Sequence, residues 1–158
     1  MRLWHTSLIP VLPREQLISQ WRELSAIAGA IQKNGTPNHL LVNFVMDYDF
    51  DHFISYAKMV RDEMTKRGYR TAEYVWQKMV SLKPDYNLII PYHIYQRKMN
   101  WQYFLICYYN LYEKWTCGGI SNEDARKIKA VYDFGRTDGN PTEENLKQTE
   151  NQTFYLEW

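Results

Sequence analysis

The chain has 158 residues and a formal net charge of +1, a length that sets the expectation of one domain burying its core without disulfide or metal staples. No apolar run approaches the length needed to span a bilayer, so no membrane partner is expected. Cys107 and Cys117 match no metal spacing, and no charged leader runs into an apolar stretch, which reads as a reduced, cytoplasmic protein.

The near-neutral total hides an asymmetry. Residues 136–158 hold two basic and five acidic side chains, which leaves 17 basic against 13 acidic in the first 135. A mildly basic body permits a nucleic-acid face without demanding one. The division expected from this is a helical domain over residues 1–135 and an acidic, flexible tail over 136–158. The aromatic share of 16 % comes from 13 Tyr, 6 Trp and 6 Phe. Such side chains serve either as core area or as faces that stack on bases.

In chain order, Pro10 and Pro13 restrict an extended start, after which Arg14 to Lys33 reads as a long helix. Leu17, Trp21, Leu24, Ala28 and Ile31 recur at spacings of three and four and mark its buried stripe. At about 100° per residue, Gln16, Gln20, Glu23 and Ile27 lie along one flank of that stripe, and Arg22 lies on the wetter side. Asn34-Gly35-Thr36-Pro37 breaks the helix.

A second helix is expected from about Asp49 to Arg67, with Phe50, Phe53, Ala57, Val60 and Met64 inward and Gly68 ending it. Thr71 caps a third, carrying Val75, Met79 and Leu82 and stopping before Pro84. Asn87 to Pro91 is either a strand or a buried connector. Asn100 caps a fourth helix, Trp101 to Trp115, apolar almost all round and so expected to be central. Ser121 with Asp124 begins a fifth, ending near Gly135. The expected fold is all-α, a compact domain of four to five helices behind an extended N-terminal segment.

Among candidate functional residues, Glu23 stands at the core-surface boundary, where a carboxylate is partly desolvated yet reachable. It is either an acid/base group or a solvated helix charge. His5, beside Trp4, reads as a packing or capping group or as part of a site. The four histidines show no pair at ligand spacing, so no metal is assigned. Lys58, Arg61, Arg67 and Arg70 form either a phosphate-contacting stripe or a wet helix face. Tyr108, Tyr109, Tyr112 and Trp115 are core or base-stacking residues.

The start of the chain, with Arg2 next to the terminus and Arg22-Glu23-Leu24 on the first long helix, resembles the pyrimidine dimer DNA glycosylases, the phage endonuclease V family. Gln16-Leu17 falls where that family has a polar-Leu pair, and the block from His39 through Lys66-Arg67-Gly68-Tyr69 looks like its second helix and ending. Ile90-Pro91-Tyr92-His93 is similar to a later Ile-Pro-His segment.

The resemblance implies an all-helical enzyme without metal or cofactor, a DNA repair glycosylase with abasic-site lyase activity. It would act on pyrimidine dimers or related lesions in damaged double-stranded DNA, in the cytoplasm and at the nucleoid. The family's nucleophile is a chain-terminal amine, a group whose ordinary pKa of about 7.7 to 8.0 leaves more neutral amine at neutral pH than lysine's about 10.4. The resemblance makes Met1 and Glu23 the catalytic pair and Arg2, Arg22, His5, Gln16 and His39 the DNA contacts.

This sequence departs from the family's pattern in three places. Arg2 follows Met1, so trimming of the methionine is not expected and Met1 itself must supply the amine. Ala26 stands where the family has a second helical arginine, and an acidic tail replaces a basic aromatic C-terminus. The alternative is a non-catalytic helical module that binds nucleic acid or protein on the same scaffold.

Overall fold

The computed structural model describes residues 1–137, and its helices follow the apolar periodicity closely. α1 covers Arg14–Asn34, α2 Phe50–Lys66, α3 Glu73–Val80, α4 Trp101–Thr116 and α5 Asn122–Thr137, and no strand occurs among the described residues. The all-α class is borne out, with five α-helices among the described residues. No described helix is long and apolar enough to cross a membrane. The contacts divide the chain into two compact units, Met1–Met99 and the segment from Asn100 onward. The expected tail lies, apart from Arg136 and Thr137, outside the described residues.

In the first unit, α2 and α3 both pack on α1. The five stripe residues Leu17, Trp21, Leu24, Ala28 and Ile31 are all buried, as are Phe53, Ala57, Val60 and Met64 of α2; Phe50, expected inward with them, is only half-buried, because it is the first residue of the helix. α1 stops where expected, because Gly35 adopts φ +73° and returns its amide to the Ile31 carbonyl at 2.8 Å. That left-handed conformation costs glycine least.

The extended start is only partly extended. Thr6–Val11 winds into a 3-10 helix, which His5 caps by accepting from the Ser7 amide. Two further expectations are corrected. α3 begins at Glu73 with Ala72 at its cap position and no side-chain cap, because Thr71 turns its hydroxyl to Arg61 Nε instead. Of the two readings of Asn87 to Pro91 the connector holds, but it is exposed rather than buried, with Leu88 and Ile90 more than half exposed, and the Asn87 amide is taken by Asp51 and the Ile89 amide by Ser55.

Arg67 reaches back from the end of α2 and ties down the 3-10 segment. Its guanidinium donates to Leu12 O at 2.6 Å, Pro10 O at 2.8 Å and Ile9 O at 3.4 Å, while Nε meets Glu63 at 2.6 Å. A planar fork with five donors suits several carbonyls at once.

In the second unit, Asn100 caps α4 by accepting from the Tyr103 amide at 2.9 Å. α4 packs on α5. The expectation that α4 is apolar all round and central gives way to a one-sided helix: Tyr103, Phe104, Cys107, Tyr108 and Leu111 are buried, and Tyr109 and Tyr112 are exposed. Trp101, Phe104, Tyr108 and Tyr132 form a stacked aromatic run, with Tyr108 and Tyr132 centroids 4.4 Å apart.

Replacing Arg67 by Met strips three carbonyls and Glu63 of their donor, a loss expected at about 1–3 kcal/mol. A lowered urea midpoint would register it. Arg67→Lys, lacking the fork, should recover less than half of the difference, and a midpoint equal to the parent's for Arg67→Met would contradict the assigned role.

Candidate active site

Gln20 sits on α1 beside the apolar stripe, with 0 % of its surface exposed. A buried primary amide must place two donors and an acceptor. It does so on the chain's first residues. Nε2 donates to Arg2 O at 3.0 Å and Oε1 accepts from Trp4 N at 2.8 Å, so the side chain pairs with residues 2 and 4 as a neighbouring strand would. Tyr56 of α2 completes the cluster, its hydroxyl 2.7 Å from Trp4 O and 2.9 Å from Gln20 Oε1, with one proton for two acceptors.

The same arrangement fixes Glu23, one turn further along the flank. Its Oε2 accepts from the Arg2 amide at 3.3 Å and lies 3.5 Å from Gln20 Nε2. A carboxylate is thereby held one peptide unit from the Met1 amine. Met1 is exposed and Glu23 half-buried, which agrees with the boundary position read from helical phase. Arg2 places its guanidinium 5.8 Å from the centre of the Trp4 ring.

His5 is built into the same segment. Nε2 lies 3.1 Å from Met99 O, and since a carbonyl only accepts, Nε2 carries the proton. Nδ1 then accepts from the Ser7 amide at 3.2 Å, with Ser7 Oγ at 2.7 Å. Burial drives the histidine's pKa down to about 4, against a smaller upward pull from the Met99 carbonyl.

The structure therefore brings Met1 and Arg2 beside Glu23 at the middle of α1, while His5, a few residues on, is held by Met99 and Ser7. Gln16 joins them on the same flank, its Oε1 buried and without a hydrogen-bond partner. Arg22 is exposed on the outer face. His39 lies in the turn before Asn43, where its Nδ1 accepts from the Leu41 amide and its own amide donates to Asn43. Gln20 and Tyr56 are the site residues missed from sequence. The available signal was a glutamine on the core side of a helix flank, which needs a buried partner.

The wider basic stripe is mostly paired. Lys58 meets Asp62 at 2.6 Å, Arg61 meets Glu73 at 2.6 Å, and Arg67 turns inward to Glu63. Among the residues considered from sequence, Arg70 alone of those four has no such pair among the described residues.

Residues 1–76 match the family model described as pyrimidine dimer DNA glycosylase. Over those residues the match bears out the resemblance read from Arg2 and Arg22-Glu23-Leu24. No curated protein and no solved structure matches the chain. The matched segment carries Gln20, Glu23, Tyr56 and the whole N-terminal strap, and it ends within α3.

Two outcomes follow for this network. His5 binds its proton more weakly folded than unfolded, so the unfolded chain takes up protons first as pH falls from the ordinary 6.5 toward about 4. Folding stability held above pH 6.5 should decline through that window, by at most about 3 kcal/mol. Urea melts at successive pH values would show the decline, and it should shrink in His5→Asn. Gln20→Met should cost about 1–3 kcal/mol for each backbone group left unpaired and should speed hydrogen exchange of the Trp4 amide. Unchanged exchange would argue against the clamp.

Proposed function

We propose that the protein is a DNA glycosylase with abasic-site lyase activity, in which the Met1 amine attacks C1′ of a damaged pyrimidine nucleotide in double-stranded DNA. The observation that carries this reading is the Glu23 carboxylate bonded to the Arg2 amide, next to the amine. The match of residues 1–76 to a pyrimidine dimer DNA glycosylase model supports the substrate class.

The chemistry asks for few groups. The neutral amine adds to C1′, the base departs, and the sugar opens to an imine joined to the chain. Glu23 stabilises the cationic imine and takes or relays the proton lost from C2′ as the 3′ phosphate leaves. Water then releases the product and restores the amine. Arg2 contacts the phosphate beside the scissile sugar, and Arg22 contacts the backbone from the outer face of α1. Gln16, on the same flank of α1 as Glu23, is a further DNA contact on this reading. His5, with both ring nitrogens engaged, positions the strap. His39 is a further DNA contact on this reading.

Extraction of a nucleotide from the stack costs a few kcal/mol and least where the lesion already stacks poorly, which gives such a site its preference for damage.

Borohydride added to the protein and abasic-site duplex should trap a covalent adduct, with mass analysis placing the sugar on Met1. Glu23→Gln should slow strand cleavage by about 10²- to 10⁴-fold, with duplex affinity kept within a few-fold. An absent adduct, an adduct on a lysine, or full activity in Glu23→Gln would overturn the mechanism. Salt-sensitive binding without cleavage would instead mark a binding module on the same scaffold.

A further inference from the structure

A second cluster of cationic side chains lies on the flank of α1 away from Glu23. A groove of about 350 Å³ is lined by Arg14, Ile18, Trp21 and Arg22 of α1, by Met64 of α2, and by Gly68, Tyr69 and Arg70 of the turn that follows. Three of its residues are arginines and none is acidic. Among the described residues, neither Arg22 nor Arg70 has an ion pair or a hydrogen bond to its side chain.

Several other cations of this unit are neutralised. Lys58, Arg61, Lys66, Arg67 and Lys83 each meet a carboxylate. Arg14 does reach Glu15 at 2.8 Å, but both side chains are more than 60 % exposed. Such a pair contributes little and is readily exchanged for a stronger anion. The Arg14 guanidinium also lies 5.7 Å from the centre of the Tyr69 ring, which holds it at the groove.

The floor explains why these cations stay together. Trp21 is 6 % exposed and Met64 is 2 % exposed, so the groove is built on the α1–α2 core and not on a loop alone. Gly68 takes φ +76°, and the Tyr69 amide returns to Met64 O at 2.8 Å. That turn carries Tyr69 and Arg70 back toward α1. Neighbouring unpaired guanidinium groups repel until an anion sits between them, and their planar forks fit phosphate oxygens.

We propose that this groove is a second phosphate-binding site, which holds the duplex backbone on the side of α1 opposite the reacting sugar. The inference rests on the reading of the protein as a DNA glycosylase. Geometry connects the two places. Glu23 and Arg22 are neighbours about 100° apart around α1, and Arg14 and Ile18 lie further round in the same direction. A helix with its side chains is about 10–12 Å across. The grooves of B-DNA are about 6 and 12 Å wide, so a duplex laid over α1 with a sugar at Glu23 brings other phosphates to the far flank. Arg22 stands between the two sites, and Arg14 and Arg70 extend the contact.

The test uses the full chain and a duplex with a non-cleavable abasic analogue, its affinity followed by fluorescence anisotropy between about 50 and 200 mM salt. The double variant Arg14→Gln, Arg70→Gln should lose about 1.8 from the slope of log affinity against log salt, about 0.9 for each phosphate contact. Borohydride trapping at saturating abasic duplex should keep the parent's rate. A matched double variant elsewhere, Lys33→Gln with Lys58→Gln, should leave the slope nearly unchanged.

An unchanged slope in the arginine variant, or an equal fall in the lysine variant, overturns the groove assignment. The readouts separate this inference from the reading beneath it. If the parent traps no adduct yet the arginine variant alone loses slope, the chemistry fails and the phosphate site stands. If the adduct forms and the slope does not move, the groove fails and the chemistry stands.

Discussion

The pairing of the Gln20 amide with the backbone of residues 2 and 4 is the constraint on which the candidate site depends. The first residues of a chain are ordinarily poorly ordered unless something ties them down. Here the tie is a fully buried side chain on the longest helix, seconded by the Tyr56 hydroxyl from α2. Because α1 and α2 meet through their apolar stripes, the core that stabilises the fold also sets where the strap runs. The Glu23 carboxylate then needs no additional support, since the helix that carries Gln20 carries it one turn away.

The basic side chains divide by what they face. Arg67, half-buried, spends its donors on carbonyls of the 3-10 segment and so acts as a strut. Arg61 bridges α2 to Glu73 at the start of α3 and lies 5.1 Å from the centre of the Trp76 ring. Arg22 and Arg70 are left to solvent. A net charge of +1 conceals this arrangement, because local imbalance, and not the total, sets the potential at a particular groove.

Much of this was legible in the sequence where the physics is local. A 3.6-residue period locates α1 and α2 and their buried faces, Gly35 and Gly68 end them, and Asn100 caps α4, because each signal concerns residues within one or two turns. The boundary position of Glu23 and the outward position of Arg22 also follow from phase alone. The errors occur where a long-range partner decides. Thr71 looks like a cap until Arg61 takes its hydroxyl, and Arg67 looks like a surface charge until residues 9 to 12 fold back beneath it. Gln20 was visible as a flank residue, but its partners are sixteen and eighteen positions away. Nothing in a helical period announces them.

The strap has a further consequence for the reach of the chain's first atom. The clamp grips residues 2 and 4 by their backbone, so it is indifferent to what precedes them. A residue added ahead of Met1 would leave the fold, the core and the cationic groove as they are, yet displace the free amine by about 3.8 Å, one Cα spacing. On the proposed reading the site thus measures covalent length. A protein carrying such an added residue would be folded and able to grip DNA, but silent toward the sugar, and returning the amine to its place would require removal of that residue and no refolding.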